Sequence, residues 1–343
     1  MTKTMIMDGS NTRRSTPVKL LLLALLASSS SAFTGTVSSR TRNLSFASTS
    51  LNSAVSINPS DVVSKYEAQM EKMAEKDKTS SALSKDDLKV LHNDDDIIVV
   101  EKPSGILCVP DKANNPSLNA AVFAAHPNES NDMSKMAVHR LGMDTSGLVV
   151  FAKSDAALRL LNAQFRARKV TRKYEALVCG SLEGEGEIDL PLMRDFENPP
   201  FMRVSTDDAQ KALIGVSKDD LPGGLKKILE MPKPSLTKYK AIGSEELGGH
   251  PVTRVELESV SGRTHQLNVH CAAIGHPVVK DAVYGVDGEA AKSGGVDADG
   301  VSEDVQKAIN AAASGGMCVH MKELSFSHPI TREEMKFESK SPF

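Results

Sequence analysis

Short apolar runs broken by turn residues dominate the chain from Asp94 onward. Ile97-Ile98-Val99-Val100 reads as a buried strand, stopped by Lys102-Pro103-Ser104-Gly105. A turn-rich stretch, Gly142 to Gly147, leads into a second strand, Leu148-Val149-Val150-Phe151. Asp155 can cap a helix whose Leu158, Leu161 and Phe165 share one face. Tyr174 to Cys179 and Thr253 to Val260 alternate as strands do. Helices and strands mix without a regular βαβ period, which predicts an α+β fold rather than a doubly wound sheet.

Upstream, Asn58-Pro59-Ser60-Asp61 has the form of a helix start, and Val62, Val63, Tyr66, Met70 and Met73 follow at helical spacing. The pattern predicts a peripheral amphipathic helix over 60–77 and a linker over 78–90. Two stretches read as insertions, roughly 212–233 and 286–316. The second is rich in Gly, Ala, Asp and Ser and is expected to be a mobile surface loop rather than a binding device.

Composition narrows the function classes. The chain is 40% hydrophobic and 25% charged, near the globular average, which excludes whole-chain disorder, a collagen-like repeat or a coiled coil. Four cysteines, Cys108, Cys179, Cys271 and Cys318, lie far apart with no CxxC pair, so four reduced thiols are expected rather than a disulfide framework or a zinc site. Aromatics make up only 4% with no Trp, which argues against a single-strand binder built on stacking platforms.

The formal net charge of −3 hides two unlike segments: the first 60 residues carry +5, leaving −8 for the rest. The leader reads as an address. Basic residues precede an apolar run, Val18 to Ala27, far short of the roughly 20 residues a spanning helix needs. Small residues follow, and then a Ser/Thr-rich basic stretch without acids. This order predicts a signal peptide over 1–32 and a transit peptide over 33–59, and it resembles the bipartite plastid presequence of algae with secondary plastids. Mitochondrial or secretory targeting is the alternative. No membrane span is expected in the mature protein.

Against the acidic background, residues 153–173 stand out. Lys153, Arg159, Arg166, Arg168, Lys169, Arg172 and Lys173 face Asp155 alone, a net +6. A charge run is usually a solvated helix face, but its contrast with the remainder points to a phosphate-backbone surface, with Arg166, Arg168 and Lys169 as candidate RNA contacts.

Four motifs occur in order: Asp96 to Gly105; His139-Arg140-Leu141-Gly142-Met143-Asp144-Thr145-Ser146-Gly147; Arg172-Lys173-Tyr174-Glu175-Ala176; and Ser261-Gly262-Arg263-Thr264-His265-Gln266-Leu267-Asn268-Val269-His270. With Gly275-His276-Pro277 through Asp281-Ala282-Val283-Tyr284-Gly285, and with His320 and His328-Pro329, the stretch from about residue 92 to the C-terminus resembles the RluA-type RNA pseudouridine synthases. The resemblance implies one domain over 91–343, a bent, mainly antiparallel mixed sheet with flanking helices. It also implies an isomerase without cofactor or metal, acting on uridines in rRNA or tRNA, the target base being flipped into a cleft.

In that family an Asp is the nucleophile that breaks the N1–C1′ bond, an Arg pairs with it and keeps it ionised, and a Tyr stacks on the base. Position by position, Tyr174 matches the Tyr and is a candidate base for the C5 proton. Arg140 matches the arginine beside the nucleophile, which holds the RNA. Lys102 and Arg263 lie in two of the motifs and are further candidate contacts, although a Lys-Pro-Ser-Gly turn commonly leaves its lysine solvated.

The nucleophile itself is missing. Where the family reads His-Arg-Leu-Asp this chain has Gly142, and where it reads Gln-Leu/Ile-Arg this chain has Asn268. Losing both halves of the pair is physically consistent, since a buried Arg stripped of its carboxylate costs about 3–5 kcal/mol. Asp144, two residues on, is the candidate displaced nucleophile. Two extended residues span about 6.6 Å, more than the ~3–3.5 Å approach a nucleophile needs, so turn capping at Thr145 or Ser146 is its expected role. His265 and His270, five apart, fall on opposite faces of an expected strand and are not expected to share a metal. His139 and His276 are expected to be structural.

Overall fold

The computed structural model describes residues 57–343, and the proposed signal peptide and most of the transit segment lie outside them. Helix α1 (Pro59–Asp77) opens the described chain. Asn58 caps it, its side chain accepting from the Ser60 amide at 3.2 Å, and Pro59 occupies the first turn, where no amide hydrogen is needed. Val62 is its one fully buried residue; the helix is peripheral, as its spacing predicts. The expected linker is partly structured. It ends in a single 3-10 turn and in β1 (Lys89–Asn93), which pairs antiparallel with β2 (Ile97–Lys102).

The expected strands at 97–100, 148–151, 174–179 and 253–260 are present, whereas the one expected through His265–His270 is a helix. β2 is buried along nearly its whole length and pairs with β3 (Ser146–Ala152), in which every residue is buried. Between them lies α2 (Leu118–Ala125), and after β3 comes α3 (Asp155–Arg166). Ser154, not Asp155, caps α3: its hydroxyl accepts from the Ala157 amide at 3.1 Å, and Asp155 takes the first helical position, where a negative charge suits the helix dipole. The chain continues through β4 (Thr171–Cys179), β5 (Glu185–Asp189), the small hairpin β6 (Leu192–Arg194) and β7 (Met202–Val204), and the short α4 (Asp207–Ala212). Next come the long hairpin β8 (Leu236–Leu247) and β9 (His250–Ser259), then α5 (Gln266–Ala273), α6 (Glu303–Ala312), β10 (Val319–Ser327) and β11 (Glu334–Glu338).

One sheet runs β1-β2-β3-β10-β4-β9-β8-β5, with β11 added to β10. Every pairing is antiparallel except β3 with β10. That parallel step carries β10 between β3 and β4, and it demands a glycine: at Gly147 (φ +116°) an added Cβ would stand 2.4 Å from the Met321 carbonyl oxygen. The result is the α+β, mainly antiparallel sheet with flanking helices that the sequence predicts.

Of the two inserted stretches, the expectation for the second is corrected. The 286–316 stretch is not a loose loop. It contains α6, whose Ile309 is fully buried with Val252 and Cys318, and Gly294 packs on Val269 of α5. The 212–233 stretch likewise folds, with Leu221, Leu225 and Ile228 buried against Val62, Met193 and Phe196. Apolar residues spaced among Gly and Asp hid both small cores. All four cysteines are buried free thiols. No helix among the described residues is long and apolar enough to cross a membrane.

Candidate functional site

The loop between α2 and β3 carries His139 to Thr145, and Lys102 fixes its shape. Lys102 is fully buried, and its ammonium donates to the carbonyls of Pro103 (2.8 Å), Met143 (2.7 Å) and Thr145 (2.9 Å). Burial pushes its pKa down to about 8. Neither an RNA contact nor a solvated turn residue, it is the internal clamp of this loop; a lysine at the end of a buried strand has no water to reach. Its three acceptors satisfy all three ammonium protons, the condition on which a buried cation is tolerated.

His139 anchors the loop from the other side. Its Nε2 accepts from the Val150 amide at 3.0 Å, and its ring stacks on Phe165 of α3 at 4.9 Å. Burial, aided by the nearby Arg172 charge, pushes its pKa down to about 3, so it is a neutral structural histidine. His276 is structural too, its Nδ1 lying 2.9 Å from the Cys179 carbonyl.

Gly142 is exposed, and a Cβ placed there would meet only the Thr145 hydroxyl, at an ordinary 3.5 Å. The position therefore accepts a side chain. Asp144 does not cap the turn as expected. Its carboxylate is drawn outward into an ion pair with Lys76 of α1 at 2.5 Å, while the turn closes through the Thr145 amide on the Gly142 carbonyl at 3.2 Å. Lys76, distant in sequence, carried no motif that would have found it.

The last motif lies on α5, where the sequence pattern suggested a strand. His265 precedes it with φ +51°, and its Nδ1 lies 3.1 Å from the Tyr284 hydroxyl. His270 is inside the helix, bound to Thr237 Oγ1 at 2.9 Å and to the Leu190 carbonyl at 3.0 Å. It is buried in the core, with burial pushing it down to about 4. The polar-apolar alternation of Gln266 to His270 arises because even the polar members are buried and hydrogen-bonded, not because one face is wet.

Asn268 lies within the same helix. Its Nδ2 donates to Asp281 Oδ2 at 2.7 Å and contacts Met317 Sδ at 3.3 Å. Asp281, buried, accepts on its other oxygen from the amides of Val283 (2.8 Å) and Tyr284 (3.0 Å). A neutral amide, not a cation, thus engages the Asp281 carboxylate from this position. Asp281 lies inside a quoted motif, yet nothing in its spacing revealed that it faces Asn268. Both of its oxygens are engaged, and no lysine or arginine bridges it among the described residues.

Tyr174, on β4, is buried and stands opposite Met321 of β10, four residues beyond Met317. Burial raises its phenol pKa against the pull of Arg172, so it is a protonated ring suited to stacking and donation. Arg172 turns inward instead of joining a surface patch. Its Nη2 donates to the Ser259 carbonyl at 3.0 Å, and its guanidinium lies flat on Gly262 (φ +64°), where a Cβ would come within 2.5 Å. Arg140 is exposed; His265 is half-buried, and burial lowers its pKa, with Asp281 opposing the shift and Arg194 and Arg140 adding to it.

The basic segment divides. Lys153 is spent on the Asn93 side chain at 2.8 Å, and Lys173 lies 3.7 Å from Glu323. Arg159, Arg166, Arg168 and Lys169 stay exposed and form no ion pair among the described residues. The Phe165–His139 stack joins this surface to the loop beside Arg140. Arg263 is half-buried, its guanidinium only 3.4 Å from the Pro234 carbonyl.

Among groups with metal-ligand chemistry, Asp94, Asp96 and His328 bring ligand atoms within 4.8 Å of one another. His328 Nδ1 accepts from the Thr331 amide at 3.1 Å, so its proton sits on Nε2, 3.1 Å from Asp94. With both ring nitrogens engaged, the group reads as a tie between the β1–β2 turn and the C-terminal segment.

A mainly antiparallel sheet with flanking helices, carrying Tyr174 on β4 and the remaining motifs in the Arg140 loop and α5, is the pseudouridine synthase fold. The chain belongs to that family, on the RluA branch: the family model for RNA pseudouridylate synthase matches residues 96–273. The dual-specificity RNA pseudouridine synthase RluA of Pasteurella multocida is 35% identical over 259 residues, 75% of this chain and 94% of that protein. The protein of the same name from Haemophilus influenzae is 34% identical over 257 residues, again 75% and 94%. Among solved structures, human RNA pseudouridylate synthase domain containing 1 matches with a TM-score of 0.54 at 25% identity, covering 77% of this chain and 87% of that one.

Proposed function

We propose that this protein binds uridines in structured rRNA or tRNA through the family's cleft without carrying out the family's Asp-dependent isomerisation. Its relatives are named for pseudouridine synthesis, two of them for dual-specificity RNA action, which supports RNA as the partner. The observation that carries the reading is the pair of replaced side chains: Gly142 offers no carboxylate, and Asn268 satisfies Asp281 by a neutral hydrogen bond. Asp144, the displaced-nucleophile alternative, is engaged by Lys76 on a loop held by Lys102. Arg140, Tyr174 and the exposed cations of α3 and its following turn supply grip and stacking. The leader, by its composition, directs the chain to a plastid, which a fluorescent fusion of residues 1–59 tests by its location.

The test is to incubate the full-length chain with tRNA and large-subunit rRNA transcripts and measure both binding and pseudouridine by mass spectrometry. Salt-sensitive binding without conversion is expected. Conversion that Asp144→Asn abolishes would instead establish an active enzyme with a displaced nucleophile.

A further inference from the structure

Beside the start of α5 a pocket of about 280 Å³ opens between Gly262–Thr264, the β6–β7 hairpin and the 3-10 turn Leu225–Leu229. Four cations line it: Arg194, Lys227, Lys233 and Arg263. They face one acid, Glu230, which Lys233 engages at 2.7 Å. Lys227 forms no side-chain hydrogen bond or ion pair among the described residues, and Arg263 has only the distant Pro234 carbonyl at 3.4 Å. In a protein whose residues beyond the leader are strongly acidic, this is a local surplus of positive charge with unspent donors.

The other side of the pocket is apolar. Leu192 and Met202 form a buried floor, and Met231 stands at the lip 78% exposed. A polarizable thioether beside unpaired ammonium and guanidinium groups suits a flat base joined to a phosphate. The volume lies just below the ~300–1,000 Å³ of small-molecule sites, enough for a single nucleotide and no more. Thr264 directly precedes His265, the cap of α5, so the pocket adjoins the helix that carries Asn268.

We propose that this pocket holds a nucleotide of the bound RNA next to the flipped uridine, with its phosphate on Arg263 and Lys227 and its base against Met231. The inference rests on the RNA-binding reading and assigns a role to the 212–233 stretch, which supplies Lys227 and Met231. Arg263 was a candidate RNA contact by motif; Lys227 belongs to no motif.

Binding of a tRNA transcript and a large-subunit rRNA fragment to the full-length chain, by fluorescence anisotropy across a salt series, tests it. The variants are Lys227→Ala and, as an equal change of charge on the distant α6, Lys307→Ala; both side chains are exposed, so folding is preserved. Lys227→Ala should bind severalfold more weakly, with the slope of log K against log salt reduced by about 0.7–0.9, while Lys307→Ala matches the native chain. Ultraviolet crosslinks should map to residues 225–233. Native affinity and slope in Lys227→Ala would overturn the pocket assignment alone, whereas failure of the native chain to bind either RNA would overturn the RNA-binding reading and the pocket with it.

Discussion

Single residues decide whether this cleft keeps its shape, and the decisive one is a lysine. Removing the Lys102 ammonium by Lys102→Met leaves the carbonyls of Pro103, Met143 and Thr145 without their donor inside the protein. Chemical denaturation should show a loss on the order of 3 kcal/mol, far above the effect of removing an exposed lysine. His139 makes the same loop acid-sensitive. Its folded pKa of about 3 lies below the ordinary 6.5, so the unfolded chain takes up the proton first. The stability it contributes is whole above about pH 6.5 and drains away as pH falls towards 3; His139→Gln should flatten that part of a stability–pH profile. The sequence pointed to His139 as structural, but it could not show Lys102 as buried. A Lys-Pro-Ser-Gly turn looks solvated until the loop that folds over it is placed.

At the scale of elements, α1 is joined to the domain along its length, Lys65 donating to the Glu197 carbonyl at 3.1 Å. Val62 packs with Met193, Phe196 and Ile228; Gln69 and Lys72 reach Glu289, each at 2.5 Å; and Lys76 meets Asp144. The apolar end dominates, because exposed ion pairs contribute about 0–1 kcal/mol. Thermal unfolding should therefore place Val62→Ala about 1.5–2.5 kcal/mol below the native chain and Lys76→Ala within about 1 kcal/mol of it. The C-terminal tie behaves differently. Burial would raise the Asp94 pKa, but hydrogen bonds from His92 and the Ile97 and Asp96 amides outweigh it and hold it at about 2. With the folded value below the unfolded 3.8, the stability Asp94 provides is complete above about pH 4 and is lost as pH falls through 2. Periodicity showed α1 and the central strands because each has one consistent apolar pattern. It misread α5 because both faces of that helix are buried, and it left 286–316 as a loop because glycines interrupt the pattern around Ile309.

For the whole molecule, the ordered motifs were enough to predict the fold and the family, and the family's pattern drew attention to Gly142 and Asn268. What the sequence could not show is how the two replaced positions and their neighbour are settled: Asn268 bonds Asp281, and Asp144 pairs with Lys76 of α1. No local pattern reveals either contact. Position 142 has room to take back a side chain. A side chain there meets only Thr145 Oγ1, and the residue at 268 has Asp281 as its partner. The most direct measurement is pseudouridine formation on rRNA and tRNA transcripts by the Gly142→Asp/Asn268→Arg double variant beside the native chain. The double variant should gain conversion that the native chain lacks. Equal conversion by both, or by the native chain alone, would contradict the account.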